Sequence, residues 1–208
     1  MLVLAIDPGP IQSAWLAYDC RTRRPVAFGI ESNEQLHEAG EPILARFPAQ
    51  CLVAIEMVAY YGTGMAPGAE VFDTCVWIGR FMEQFRPVET TLIKRLEIRT
   101  TLCGTARAKD PNIRQALVDR WGGKEKAIGY RHCRQCKGRG CLDLKVGIQC
   151  PRCRGSGDGR GPLYGVTSHV WAALAVAVTW AEQHGGTRHR PLRAPSEISA
   201  EGLDSGAA

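Results

Sequence analysis

The sequence predicts an α/β fold with a mixed five-stranded sheet, helices on both faces and a small metal-binding insertion. Three observations lead to this prediction. The chain starts with three short strands, continues with alternating helices and strands, and is later interrupted by two Cys-x-x-Cys motifs. A strand meander that runs into alternating strand–helix units builds a mixed sheet flanked by helices. The length of 208 residues fits one domain plus an insertion.

The first third of the chain has the pattern of strands. Apolar runs cover 2–6, 13–18 and 25–30, separated by a Pro- and Gly-rich turn and by a polar turn, which predicts an antiparallel meander. Residues 34–47 carry apolar side chains at helical spacing. Residues 51–55 form a fourth apolar run, which we interpret as a buried strand.

The second part of the chain alternates between helices and strands. We predict a helix over 71–85, a strand over 90–93, and a helix over 111–121 with Asp110 as its N-cap. A last helix over 168–184 is apolar almost all round and should therefore be buried. The residues expected on the buried face of the helix after the fourth strand are Val71, Cys75, Ile78 and Met82.

These elements define four segments. We expect the core in 1–128, the insertion in 129–160, the closing helix of the core in 161–184, and a disordered tail in 185–208. The longest apolar stretch is too short to span a membrane, and the apolar start of the chain has no basic leader and has the pattern of a strand. A cytoplasmic protein is therefore expected, without a membrane partner.

Charge is distributed unevenly along the chain. Residues 94–160 hold 17 lysines and arginines against 6 acidic residues, whereas the rest of the chain holds 9 against 15. A basic block in an otherwise acidic chain is typical of a protein that binds a polyanion. A solvated basic surface on the insertion would give the same pattern.

Five of the nine cysteines lie within 133–153. Such clustering in a cytosolic chain favours thiolate ligation of a metal over disulfides, and two Cys-x-x-Cys pairs are typical of structural Zn²⁺. Zinc would fold a segment that has too little apolar content to fold unaided, and its basic residues would suit phosphate contacts or simply be solvated. The expected ligands are Cys133, Cys136, Cys150 and Cys153; the remaining thiol, Cys141, has poorer spacing. The scattered cysteines, expected in the core, are Cys20, Cys51, Cys75 and Cys103.

Two acidic residues follow apolar strands. Asp7 ends the first strand and Glu56 ends the fourth, and neighbouring strands would bring both to one edge of the sheet. Two close carboxylates repel each other unless a cation lies between them, and Mg²⁺ or Mn²⁺ prefers such oxygen ligands. The alternative is that Asp7 only opens a turn and Glu56 only caps a loop.

The pattern around these residues resembles the RuvC-type Holliday junction resolvases of the ribonuclease H-like superfamily. The matching segments are Leu4-Ala5-Ile6-Asp7-Pro8-Gly9, Val53-Ala54-Ile55-Glu56, Gly104 to Val118, and Ala173 to Thr179. They occur in the correct order over 1–120 and 160–183. Neighbouring segments look most like the resolvase-like proteins of bacteriophages, which would place the protein in a bacterial host. The glycine-rich cysteine motifs also resemble one pair of DnaJ-type zinc knuckles.

The resemblance implies a homodimer that cleaves four-way or other branched DNA with two Mg²⁺ or Mn²⁺ ions held by acidic residues. Asp7 and Glu56 would be ligands, and His169 would act as ligand or general base. Ala172 stands where the family supplies a further carboxylate, so the fourth ligand must come from elsewhere. Asp110 is the nearest candidate, unless its only role is at the helix start.

The resemblance and the basic block together suggest DNA contacts. Tyr60 and Tyr61 lie in a glycine-rich loop after the fourth strand. The resemblance implies that one of them stacks on bases, and the alternative is that it packs inside the protein. The basic candidates are Arg107, Lys109 and Arg114.

Two other classes fit part of the pattern. Because of Ala172, a catalytically weakened protein that binds branched DNA on the same fold is the alternative to a nuclease. Actin-like kinases also open with a strand that ends in Asp-x-Gly, but they need far more chain than 208 residues.

Overall fold

The structure, a computed structural model, describes residues 1–45, 51–59, 67–86, 88–143 and 148–184. The main sheet consists of β1 (Leu2–Asp7), β2 (Gln12–Asp19), β3 (Arg24–Ser32), β4 (Cys51–Met57) and β5 (Thr90–Lys94). The helices are α1 (Asn33–Ala45), α2 (Ala69–Gln84), α3 (Arg95–Cys103), α4 (Asp110–Arg120), α5 (Lys124–Ala127) and α6 (Val170–His184). The short strands are β6 (Gly129–His132), β7 (Cys141–Asp143), β8 (Ile148–Gln149) and β9 (Asp158–Arg160).

The five long strands form one mixed sheet in the order β3-β2-β1-β4-β5. The first three strands are an antiparallel meander, and β4 and β5 run parallel to β1. The predicted mixed five-stranded sheet is confirmed. Its central strand, β1, is buried from Leu2 to Ile6 because it has neighbours on both edges and helices on both faces.

Alternating side chains of the central strands reach two separate cores. Leu4 and Ile6 pack with apolar residues of α1 and α2, such as Leu36 and Phe81. Val3 and Ala5, whose side chains lie on the other face of the sheet, pack against α3, α4 and α6. Since side chains alternate along a strand, Asp7 belongs to the second face, which is the face of α6.

Helix α6 closes this second core. All residues from 173 to 180 are buried, as expected for a helix that is apolar almost all round. Near its C-terminus Arg120 of α4 forms an ion pair with Glu182, with 2.9 Å between Nε and Oε1. No helix among the described residues is long and apolar enough to cross a membrane.

Two element predictions need correction. Helix α3 was missed because it has only two buried apolar side chains, Ile98 and Leu102, in a largely polar sequence. Helix α4 begins one residue earlier than predicted, so Asp110 is its first residue and Lys109 is the N-cap.

The predicted core face of α2 is confirmed at Ile78 but wrong at Cys75 and Met82. The buried side chains are Thr74, Trp77, Ile78 and Phe81, whereas Cys75 is exposed. The helix carries apolar residues on two opposite faces, and periodicity alone could not tell which one meets the sheet. Cys75 is therefore no core residue. The other three scattered cysteines, Cys20, Cys51 and Cys103, are half-buried and pack against the cores.

Segment 129–160 leaves the core through a narrow stem. Strands β6 and β9 pair antiparallel, with Gly129 opposite Arg160, so the two ends of the segment lie side by side. Gly161 fits here because a Cβ on it would come within 2.3 Å of the Ala127 carbonyl oxygen. The bounds 1–128, 129–160, 161–184 and 185–208 stay a prediction, and 185–208 lies outside the described residues.

Candidate active site and cysteine cluster

The sheet register brings Asp7 and Glu56 together. Strands β1 and β4 are parallel neighbours, and Ile6 is paired with Ile55, so the next residue on each strand is one of the two carboxylates. Both side chains are largely buried, with exposed fractions of 18% and 14%.

A guanidinium joins Glu56 to a third carboxylate, that of Asp110. Arg95 is the first residue after β5 and the first of α3, at the same edge of the sheet. Its Nη1 lies 3.1 Å from Glu56 Oε2, and its Nη2 donates a hydrogen bond to Asp110 Oδ1. Asp110 reaches the site from the N-terminus of α4 and is mostly exposed. Sequence reasoning missed Arg95, although its place directly after a strand parallel to β4 was the signal that could have found it.

His169 lies beside Asp7. It directly precedes α6, its carbonyl accepts the first backbone bonds of that helix, and its Nδ1 lies 3.6 Å from Asp7 Oδ2. Its imidazole is two-thirds exposed, which leaves it open to a ligand. Together with Asp7, Glu56, Arg95 and Asp110 it lines a cavity of about 370 Å³. Ala172 lines the same cavity.

The electrostatics of this cavity are those of an undercompensated negative site. Burial raises the pKa of Asp7 to about 6, against the lowering effect of Arg95 and with a further rise from Asp110. Burial likewise raises the pKa of Glu56 to about 7, against Arg95 and with contributions from Asp7 and Asp110. Hard oxygen donors with excess negative charge fit Mg²⁺ or Mn²⁺.

A second cavity of about 480 Å³ shares Asp7 and His169 with the first. The turn between β1 and β2 forms much of its wall. The buried side chain of Asn33 holds this turn by hydrogen bonds. The Asn33 side chain accepts a hydrogen bond from the Ser13 hydroxyl at 2.6 Å and donates one to the Gly9 carbonyl at 2.9 Å. The turn next to Asp7 is therefore held by buried hydrogen bonds rather than by surface contacts.

The candidate DNA-binding residues differ in position. Arg114 of α4 lines the first cavity and lies over the Trp171 ring, with 4.8 Å from its Cζ to the ring centroid. Arg107 and Lys109 are exposed in the loop before α4. Tyr60 and Tyr61 lie outside the described residues.

The four cysteines of the Cys-x-x-Cys pairs converge. Their sulfurs all lie within 4.8 Å of one another; Cys133 Sγ is 3.8 Å from Cys150 Sγ, and Cys136 Sγ is 3.6 Å from Cys153 Sγ. A tetrahedral Zn²⁺ with Zn–S bonds near 2.3 Å separates its sulfurs by about 3.8 Å. The cluster could therefore hold zinc. Cys141, the remaining thiol of the segment, is not part of it.

The cluster is built from two equivalent halves. Gly140 N–H donates to Cys136 Sγ and Gly157 N–H donates to Cys153 Sγ, both at 3.3 Å. Both glycines have positive φ, and a Cβ on either would come within 2.2 Å of a carbonyl oxygen in the opposite half. Glycine is thus required at both positions to let the two knuckles close on each other.

Comparison with known proteins supports the fold. No family model and no curated protein matches the chain. Among solved structures, Thermus thermophilus RuvC in complex with a Holliday junction substrate is similar, with a TM-score of 0.56 and 16% identity, over 87% of this chain and 93% of that one. A second Thermus thermophilus RuvC structure has a TM-score of 0.54 and 17% identity, over 89% and 97%. The chain therefore has a RuvC-like, ribonuclease H-like fold.

Proposed function

We propose that this protein is a metal-dependent endonuclease that hydrolyses phosphodiester bonds in four-way or other branched DNA. The observation that carries the proposal is the convergence of Asp7, Glu56, Asp110 and His169 on one cavity of a RuvC-like fold. A solved neighbour with this fold is RuvC in complex with a Holliday junction, which suggests the class of substrate.

The side chains divide the chemistry. Asp7 and Glu56, with His169 and Asp110 beside them, would hold Mg²⁺ or Mn²⁺, which supplies Lewis-acid stabilisation of the charge that develops on the phosphate. The oxygen of a water molecule bonds to phosphorus while the bond to the 3′ oxygen breaks. His169, open to solvent beside Asp7, would accept the proton from this water, and the leaving oxygen takes a proton from solvent.

Basic residues next to the cavity would bind the DNA backbone. Arg114, which lines the cavity and contacts Trp171, would bind a phosphate there, and Arg107 and Lys109 would extend this contact along the loop before α4. Tyr60 and Tyr61 would stack on bases at the junction centre.

The exposed face of α2 supports a homodimer. Phe72 is 60% exposed and Val76 is 55% exposed, and Gly79, one turn further, has open space where a Cβ would be. These residues lie opposite the buried face of the helix, so they form an apolar stripe beside a position where a second helix can approach closely. Two-fold pairing through this stripe would give two cleavage sites for the two strands of a junction.

We further propose that the cysteine cluster binds structural Zn²⁺ and that segment 129–160 is an insertion into the nuclease core. The exposed arginines around the cluster, among them Arg131, Arg139 and Arg154, would add phosphate contacts away from the active site.

The test is cleavage of a labelled synthetic four-way junction by the full-length, zinc-loaded protein as Mg²⁺ or Mn²⁺ is titrated. We expect cutting that requires the divalent ion, with linear duplex of the same sequence cut far less. Junction binding in a gel shift without cleavage at any concentration of either ion would instead favour a DNA-binding protein that has lost its chemistry.

A further inference from the structure

Arg95 places a positive charge among the carboxylates that would bind divalent cations. Its Nη1 contacts both carboxylate oxygens of Glu56, at 3.1 and 3.4 Å, while its Nη2 bonds Asp110. Only 22% of the side chain is exposed. A guanidinium cannot be deprotonated in a protein, so a positive charge stays among these carboxylates at every working pH.

The backbone fixes this charge in place. β5 pairs with β4 up to Lys94, opposite Met57, so the residue that follows starts from the sheet edge. Lys94 N–H donates to Glu97 Oε1 at 3.1 Å, which caps the first turn of α3. Arg95 therefore projects from the junction of a strand and a capped helix, and not from a loop.

Charge balance in the cavity points to one metal ion. Asp7, Glu56 and Asp110 bring three negative charges, and Arg95 removes one. The net charge of these four side chains is therefore minus two, which a single divalent cation neutralises. A second ion would bring the net charge of these side chains and the two ions to plus two, and unpaired charge is costly beside the largely buried Asp7, Glu56 and Arg95.

The cavity lining lacks one ligand that a second ion would need. Ala172 lines the cavity where the RuvC resemblance calls for a carboxylate, and a methyl group coordinates nothing. Loss of this carboxylate and presence of the guanidinium have the same effect on the local charge, since each makes it more positive.

We propose that the site binds one divalent cation and that the Arg95 guanidinium, held by Glu56 and Asp110, is the second positive centre facing the scissile phosphate. This inference rests on the proposed nuclease function. The guanidinium has five N–H groups, and its contacts to the two carboxylates leave donors for a phosphate oxygen. Arg95 would thus stabilise the charge that develops on the phosphate, a task shared between two ions elsewhere.

The test counts Mn²⁺ ions in the full-length, zinc-loaded protein by electron paramagnetic resonance, with circular dichroism to verify folding. We expect one Mn²⁺ per chain in the wild type and in Arg95→Lys. The double variant Arg95→Ala/Ala172→Asp should bind two, because it removes the resident charge and restores a ligand. Arg86→Ala, which breaks a surface ion pair with Glu83, is the matched control and should bind one.

Junction cleavage at saturating Mn²⁺ gives the second readout. Arg95→Ala should reduce the rate about 100-fold or more, as expected for loss of a fixed charge at the transition state, and Arg95→Lys should recover part of it. Two Mn²⁺ of similar affinity in the wild type, or only one in a folded double variant, would overturn the inference. If the double variant does not fold, the wild-type and Arg95→Lys counts still decide. A wild type that binds one Mn²⁺ but cuts no junction would contradict the nuclease function and leave the count intact.

Discussion

Without a bound divalent ion, Glu56→Gln should have a larger free energy of unfolding than the wild type. With the ion present, the same variant should lose cleavage activity. The pKa of Glu56 lies at about 7 in the folded protein against 4.5 for the free side chain, chiefly because of burial, so the folded state binds its proton more tightly than the unfolded state. Folded-state stability therefore falls as pH rises from about 4.5 to about 7, and the loss is complete above that range. At about 1.4 kcal/mol per pH unit, ionisation of Glu56 lowers the free energy of unfolding by about 2 kcal/mol at pH 6 and by about 3 kcal/mol at pH 8.

Urea unfolding of zinc-loaded protein without Mg²⁺, followed by tryptophan fluorescence at pH 6 and pH 8, measures this difference. Glu56→Gln should be more stable than the wild type at both values, and its advantage should grow by about 1 kcal/mol between them. Glu182→Gln is the matched control, because Glu182 is as buried as Glu56 (13% exposed) and pairs with Arg120 at 2.9 Å, whereas Glu56 shares the charge of Arg95 with Asp110. It should lose stability instead. An advantage of Glu56→Gln that is absent at pH 8, or that shrinks from pH 6 to pH 8, would refute the reasoning.

The remaining predictions concern zinc, dimer formation and DNA. Cys150→Ser should lose one zinc per chain and lose hydrogen-exchange protection within segment 129–160 alone. Cys141→Ser should keep both the zinc and the protection. Zinc retained by Cys150→Ser would contradict the proposed ligand set. Val76→Glu should convert a dimer to a monomer in analytical ultracentrifugation, whereas Asp73→Lys, beside the apolar stripe on the same helix, should not; an unchanged mass for both would exclude this face. Arg114→Ala should weaken junction binding about tenfold in a low-salt gel shift and reduce its salt dependence; unchanged binding would remove Arg114 from the DNA interface.

The carboxylate pair could be anticipated from the sequence because strand geometry is regular. Once two apolar runs are assigned to neighbouring parallel strands, the residues that end them must meet, as Asp7 and Glu56 do. Arg95 was missed although it directly follows the predicted strand β5, because α3 has too weak an apolar pattern to be recognised. Without that helix, the residue that opens it looked like part of a connecting loop.

The cysteine cluster and α2 show the same contrast. Four thiols at Cys-x-x-Cys spacing have few geometric options, so their convergence follows from local sequence. Helix α2 has apolar side chains on two opposite faces, and which of them is buried depends on how the helix lies against β4. Cys75 was therefore assigned to the core and is exposed, and the apolar stripe that includes Phe72 became visible only in the folded chain.

The central claim is that Asp7 holds the catalytic cation, and it is tested most directly by comparing Asp7→Asn with Asp19→Asn. Asp19 pairs with Leu2 at the opposite end of the same sheet, so it serves as a remote control. In Mn²⁺, Asp7→Asn should bind a labelled four-way junction with unchanged affinity and leave it intact, while Asp19→Asn and the wild type cut it. Cleavage by purified Asp7→Asn at the wild-type rate would contradict the claim.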